Sequence, residues 1–297
     1  MHPKIPLIKS RLKEAYALLK SCQVCPRKCG VNRLKNETGF CGMGLHPVVS
    51  SDNLHHGEEP PISGFKGSGT IFLTGCNLGC IFCQNYPISQ LGHGNQISIH
   101  QLAGMMLRLQ QAGAHNINFV TPTHFAPQIM GALLIAYEKG LEIPTVYNCG
   151  GYESIKMLKL WDGIIDIYMP DMKYSDPTMS KKYSSAPDYP EVNKKAVKEM
   201  FHQTGDLKCD ENGIATSGLL IRHLILPENI AGSKEILRFI AEEISHNTYL
   251  SLMSQYFPAH KAISLKPLNR RITFSEYRKA EEWFGGFGLQ KGWIQRM

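Results

Sequence analysis

The sequence predicts an α/β chain, a partial (β/α)6 barrel with a small cysteine-rich segment at its N-terminal end. Two observations carry this. From residue 70 onward, short apolar, β-prone runs alternate with stretches of helical period, the pattern of parallel β/α units. Six such repeats can be counted, fewer than the eight of a closed barrel. The boundaries follow as 1–69 for an N-terminal helix, four-cysteine segment and linker, 70–260 for the core, and 261–297 for a helical extension.

Residues 4–20 read as an amphipathic helix, with Ile5, Ile8, Leu12, Ala15 and Leu19 on one face. Next come Cys22, Cys25, Cys29 and Cys41, spaced Cx2Cx3Cx11C, a complete four-thiolate set that suits zinc or an iron–sulfur cluster. Such a centre would staple a segment with too few apolar residues to fold alone. Residues 46–69 are rich in His, Pro, Gly and Ser and read as a linker. There His55, His56, Glu58 and Glu59 are expected to be solvated or to cap.

Strand one is expected at 70–74, followed by a helix at 99–112 whose inner stripe is Leu102, Met105, Met106 and Leu109. Strand two is 117–121 with its helix at 126–139, and strand three is 144–148 with a helix at 153–160. Strand four is 164–169, with helical or irregular sequence through 176–204. Strand five is 219–226, strand six is 249–254, and a helix spans 232–246 between them. A last helix at 274–284 is capped by Thr273 with Glu276 three residues on.

Composition sets outer limits. At 297 residues and 43% hydrophobic, the chain can bury one barrel-sized core. No run of about 18 apolar residues exists, and the N-terminus is too charged for a signal peptide, so no membrane role and a cytoplasmic location are expected. In that reducing setting, nine grouped cysteines favour metal over disulfides. The net charge of +7 permits an anionic partner. The basic stretch Lys261 to Arg271 has few interleaved aromatics and reads as a solvated face rather than a nucleic-acid groove.

The chemistry concentrates in 70–88, TIFLTGCNLGCIFCQNYPI, where Cys76, Cys80 and Cys83 follow the first strand as Cx3Cx2C. Three thiolates and no local fourth suit a soft, sulfur-rich cluster that keeps one metal ion free for another ligand. A closed zinc site wants four protein ligands. This spacing resembles the signature of the radical SAM superfamily, and Cys83-Gln84-Asn85-Tyr86-Pro87 resembles its branch of glycyl-radical (pyruvate formate-lyase) activating enzymes. The resemblance implies an incomplete barrel over about 70–260 and a [4Fe-4S] cluster on the three cysteines. It implies S-adenosylmethionine on the open iron, and a one-electron reductant of the flavodoxin or ferredoxin type. By the same resemblance, Phe82 lies against the adenine of the cofactor. The N-terminal cysteines also have counterparts in some relatives.

If reactive groups collect at the C-terminal strand ends, the ends name further candidates. Strand two ends Thr121-Pro122-Thr123-His124, where many radical SAM enzymes carry Gly-Gly-Glu for the cofactor amine; here the hydroxyls of Thr121 and Thr123 are the candidate acceptors. Strand three offers Asn148 as a cofactor contact and Cys149 as a catalytic candidate able to donate a hydrogen atom. Strand four ends Met169-Pro170-Asp171-Met172-Lys173, resembling the activating-enzyme pattern that sets Asp171 beside the cofactor carboxylate. Lys173, two residues on, shares the pocket wall and is a second catalytic candidate. On strand five, Arg222 offers a guanidinium fork for the methionyl carboxylate. The substrate, protein or small molecule, is not specified by these motifs. An iron–sulfur electron carrier is the competing reading, but it has no use for an open cluster iron.

Overall fold

In chain order the elements are α1 (Lys4–Ala17), β1 (Val48–His55), α2 (Pro60–Ser63), β2 (Ser68–Leu73), α3 (Tyr86–Ser89), β3 (Asn95–Gln96) and α4 (Ile99–Gln111). They continue with β4 (Ile117–Val120), α5 (Ala126–Glu138), β5 (Thr145–Cys149), α6 (Ile155–Trp161), β6 (Ile167–Pro170), α7 (Pro177–Ser184) and α8 (Tyr189–Thr204). The last are β7 (Lys208–Cys209), β8 (Ala215–Leu224), α9 (Ser233–Glu243), β9 (Tyr249–Met253), α10 (Phe274–Gly286) and β10 (Gly292–Ile294). This computed structural model describes residues 2–295.

One sheet runs in the order β10-β9-β8-β6-β5-β4-β2-β1-β3. The run from β2 through β4, β5, β6, β8 and β9 is parallel throughout, which makes the six expected β/α units of an open, partial barrel. Period-two alternation sends successive side chains to opposite faces. Tyr147 and Tyr168 face outward, into the main core beneath the helices. Val146, Ile167, Met169 and Leu220 face inward, where Ile62 joins them. Ser98 and Gln101 close a capping box on α4, and the expected box of Thr273 and Glu276 starts α10.

Two stretches depart from the sequence reading. The supposed linker at 46–69 contains β1, paired antiparallel to β2 from Val49↔Leu73 to His55↔Ser68. Its polar composition, Ser51-Asp52-Asn53, hides a strand that β2 holds by backbone pairing. Because β1 runs against the barrel strands, it delivers residues 57–64 to the N-terminal mouth. There α2 enters the interior, and the Ile62 carbonyl accepts from Asn116 Nδ2 at 2.8 Å. The C-terminal extension likewise adds a strand, β10, parallel to β9.

Candidate active site

Cys76, Cys80 and Cys83 sit in the loop between β2 and α3. Leu78 N donates to Cys76 Sγ (3.3 Å), Ser184 Oγ to Cys80 Sγ (2.9 Å), and Ser89 Oγ lies 3.2 Å from Cys83 Sγ. Gly79 N to Ser184 O (3.1 Å), Ile81 N to Tyr183 O (2.9 Å) and Asn77 Nδ2 to Tyr152 O (2.6 Å) pin the loop to α7 and to the turn after β5. The three thiols act electrostatically on one another. Burial pushes the Cys80 thiol up to about 11, although Lys173 draws it back, and burial raises Cys76 further. Metal binding there must therefore expel protons. Among the described residues, no three His, Cys, Asp or Glu side chains converge on a single-ion site. Three thiols on one loop that act on one another, each with a hydrogen-bond donor or hydroxyl at its sulfur, fit a cluster that spreads its ligands over several metal ions.

Phe82 is buried edge-on between Tyr174 (6.4 Å) and Tyr256 (6.0 Å), next to the cysteines. The loop after β6 brings Asp171 and Lys173 beside them. Lys173 Nζ pairs with Asp171, and Arg222 Nε lies 2.9 Å from Asp171 Oδ1. Burial opposes the charge on each, but the pairing prevails: Asp171 is held below the ordinary carboxylate value, and Lys173 and Arg222 above theirs. Tyr189 fixes the loop, donating to Gly150 O (2.8 Å) or Asp171 O (3.0 Å) and accepting from Lys173 N (3.0 Å).

The structure corrects three expectations about where side chains point, at Arg222, Thr123 and Cys149. Arg222 is not a free fork. Nη2 donates to Asn148 Oδ1 at 2.8 Å, and Nη1 lies 3.5 Å from Glu58 Oε2 and 3.9 Å from Glu59 Oε2, so all three nitrogens face protein acceptors. Asn148 does face the interior as expected, with Nδ2 3.5 Å from Glu58 Oε1. Thr123 points outward and donates to Glu153 Oε1 at 2.6 Å. Cys149, one residue from Asn148, also points to the outer face, where its thiol bonds Glu153. Thr121, at φ +59, ends the β4 run as a half-buried residue. His124 is a packing residue: Nε2 bonds Thr74 O at 2.8 Å, and burial beside Arg33 lowers it to about 3.

Glu58 and Glu59 are the residues the sequence reading left in solvent. They are 8% and 4% exposed along the side chain, at the floor of the chamber. Burial raises both, and Arg222 works against it. A signal existed: Arg222 interrupts Leu219-Leu220-Ile221 in a central parallel strand, and a buried cation there demands an acid from elsewhere. Glu153 was missed too. Fully buried, it is pushed up to about 7, with Thr123 and Tyr147 Oη (3.1 Å) as its donors.

Two tests arise here. A folded-state value above the unfolded one means the native protein binds the extra proton. Stability should therefore fall as pH rises from about 4.5 to 7, by on the order of 3 kcal/mol, and Glu153→Gln should flatten that slope in urea titrations. Gly151 sits at φ +71, and a Cβ there would lie 2.3 Å from the Asp171 carbonyl. Gly151→Ala should cost about 1–3 kcal/mol in the same assay. Gly150→Ala should cost less, because only the tip of Leu78, at 3.0 Å, must give.

The family model described as the radical SAM superfamily matches residues 70–240. This chain belongs to the radical SAM superfamily, whose members are enzymes that use a [4Fe-4S] cluster, S-adenosylmethionine and a one-electron reductant. It is 29% identical over 285 residues to the "Uncharacterized protein MJ0674" of Methanocaldococcus jannaschii, covering 93% of this chain and 78% of that one. The "Uncharacterized protein MJ0808" of the same organism is 24% identical, covering 83% and 73%. Among solved structures, a radical SAM methyltransferase from Sphaerobacter thermophilus superposes with TM-score 0.52 at 11% identity, covering 97% of this chain and 92% of that one; it shares the fold. Among the described residues, no helix is long and apolar enough to cross a membrane.

Proposed function

We propose that the chain cleaves S-adenosylmethionine reductively at a cluster held by Cys76, Cys80 and Cys83 and removes a hydrogen atom from a substrate, as an activating-enzyme-like oxidoreductase. Bound there, a cluster would supply one electron and an open coordination position for the cofactor. This chain's own part is to hold and orient. Cys76, Cys80 and Cys83 carry the metal, while Phe82 and its tyrosine neighbours give an apolar wall for the adenine. Lys173, tied to Asp171 and close enough to act on Cys80, is the cation that remains for a carboxylate once Arg222 is engaged below. Asn148 and Asp171 line the same chamber. We further assign a metal, zinc or iron–sulfur, to Cys22, Cys25, Cys29 and Cys41.

The observation that carries the reading is the placement of three thiols on one loop, acting on one another and acted on by Lys173, beside the Asp171–Lys173 pair at the strand ends of a partial barrel. The pattern after β6 keeps the activating-enzyme branch as the reference for the chemistry, with the substrate either a protein or a small molecule. The test is anaerobic iron–sulfur reconstitution, reduction with flavodoxin or dithionite, and measurement of 5′-deoxyadenosine. Reductant-dependent product is expected. A fully reconstituted protein that leaves the cofactor intact would be an electron carrier instead.

A further inference from the structure

The cysteine loop, and the segment that covers it, lack acidic side chains altogether. None of the 25 acidic residues falls within 60–137 or within 244–275, whereas Lys261, Lys266, Arg270 and Arg271 all lie in the second stretch. That stretch is bonded to the cysteine loop. Ala262 N donates to Ile81 O at 3.1 Å, and Gln84 Nε2 to Gln255 O at 3.4 Å. His260 stacks on Tyr86 at 4.7 Å between ring centroids, and Tyr86 N bonds Cys83 O at 3.3 Å. Tyr256 packs on Phe82 and donates to Leu268 O at 2.6 Å, which ties the far end of the segment down. The segment 255–271 is thus anchored at positions that flank Cys83 in sequence, and Cys83 itself is only half-buried.

The outer side chains of this segment combine apolar surface with unpaired charge. Phe257 is 40% exposed and Ile263 65%, and the Arg271 guanidinium lies 6.0 Å from the Phe257 ring. Lys261, Lys266 and Arg271 are exposed, and among the described residues none of them has a carboxylate within ion-pair distance. Arg270 differs, being held by Glu276 at 2.8 Å. Cations alone would suit a solvated face. Phe257 and Ile263 standing among them add the apolar contact that an interface needs.

We infer that this face docks an acidic one-electron carrier protein of the flavodoxin or ferredoxin class, steered by Lys261, Lys266 and Arg271 and seated on Phe257 and Ile263; this rests on the reading given under Proposed function. Position selects that occupant: a donor must come close to the centre it reduces, and the segment is bonded to the cysteine loop itself. Charge selects it too, because the segment offers an acidic partner no carboxylate to repel it. A second copy of the chain would set this cationic face against itself in a two-fold contact. Redox encounters are brief and small in area, so a few unpaired cations around two apolar side chains suffice. On docking, the reduced carrier gives up one electron, the centre on Cys76, Cys80 and Cys83 gains it, and no bond is made or broken.

The test follows reduction of the anaerobically reconstituted full chain by stopped-flow absorbance, with reduced flavodoxin and, separately, reduced methyl viologen, a small cationic reductant. Lys261→Glu/Lys266→Glu/Arg271→Glu should slow flavodoxin roughly tenfold or more at low salt, less so above about 0.5 M, and should not slow methyl viologen. Lys13→Glu/Lys139→Glu/Lys208→Glu makes the same charge change on α1, after α5 and on β7, and should slow flavodoxin no more than about twofold. Should the first variant fail to fold, Lys261→Gln/Lys266→Gln should show a smaller slowing with the same salt dependence. Carbodiimide cross-linking of flavodoxin to the metal-free chain reads docking without any reduction, and the links should map to Lys261 and Lys266. An unchanged flavodoxin rate, equal slowing in the control variant, or links only elsewhere would overturn the docking face and leave the proposed function standing. Loss of binding to anionic vesicles or duplex DNA in the first variant, with flavodoxin unaffected, would do the same. If the unaltered protein reduced by methyl viologen forms no 5′-deoxyadenosine, the proposed function falls, and this inference with it.

Discussion

Cys80→Ala should abolish cofactor cleavage, taking 5′-deoxyadenosine below detection, while the protein still folds. Cys80 is buried, but alanine removes a single sulfur from a site that already has polar neighbours, so only a modest packing cost is expected. The functional cost is far larger, because two protein thiolates remain where three are needed. The iron count should drop with it. Ser184→Ala provides the graded counterpart. It removes the hydroxyl that donates to Cys80 Sγ at 2.9 Å and leaves the thiol in place. Hydrogen bonds to sulfur tune cluster potentials, so the cluster should form with a shifted potential and a lower, measurable rate. Full activity in Cys80→Ala would remove that thiol from the site.

Arg222→Ala should destabilise the fold by about 3–5 kcal/mol, read as a lowered urea midpoint. The guanidinium is the only partner that faces Asp171, Glu58 and Glu59 together in the ion pairs described. Removing it leaves Lys173 against three carboxylates in a largely buried chamber, and an uncompensated buried charge is what makes breaking such networks costly. Arg222→Lys should recover only part of the loss, since an ammonium cannot reach Asp171, Asn148 and Glu58 along three separate directions. Combining Arg222→Ala with Glu58→Gln and Glu59→Gln should recover more, because the same charges are then removed at their source. If the triple variant is no more stable than Arg222→Ala, the glutamates are not what the arginine compensates.

The sequence alone determined the six parallel β/α units, because apolar runs and helical stripes are local signals. It also singled out the cysteine loop, because Cys76, Cys80 and Cys83 lie within eight residues and carry their spacing with them. Asp171 and Lys173 were legible for the same reason, being two apart on one strand end. What only the tertiary structure decided is direction and long-range pairing. Thr123, beyond the end of β4, turns outward to Glu153, where no spacing rule reveals the face; Cys149, the last residue of β5, joins it there because alternation puts it opposite Asn148 once the strand is known to run that far. Glu58 and Glu59 reach Arg222 across more than 160 positions of sequence, through an antiparallel strand too polar to be recognised before its partner was in place. The anchoring of 255–271 on the cysteine loop belongs to the same class. Local chemistry is written in order along the chain, whereas a buried charge acquires its partner only when distant segments are packed together.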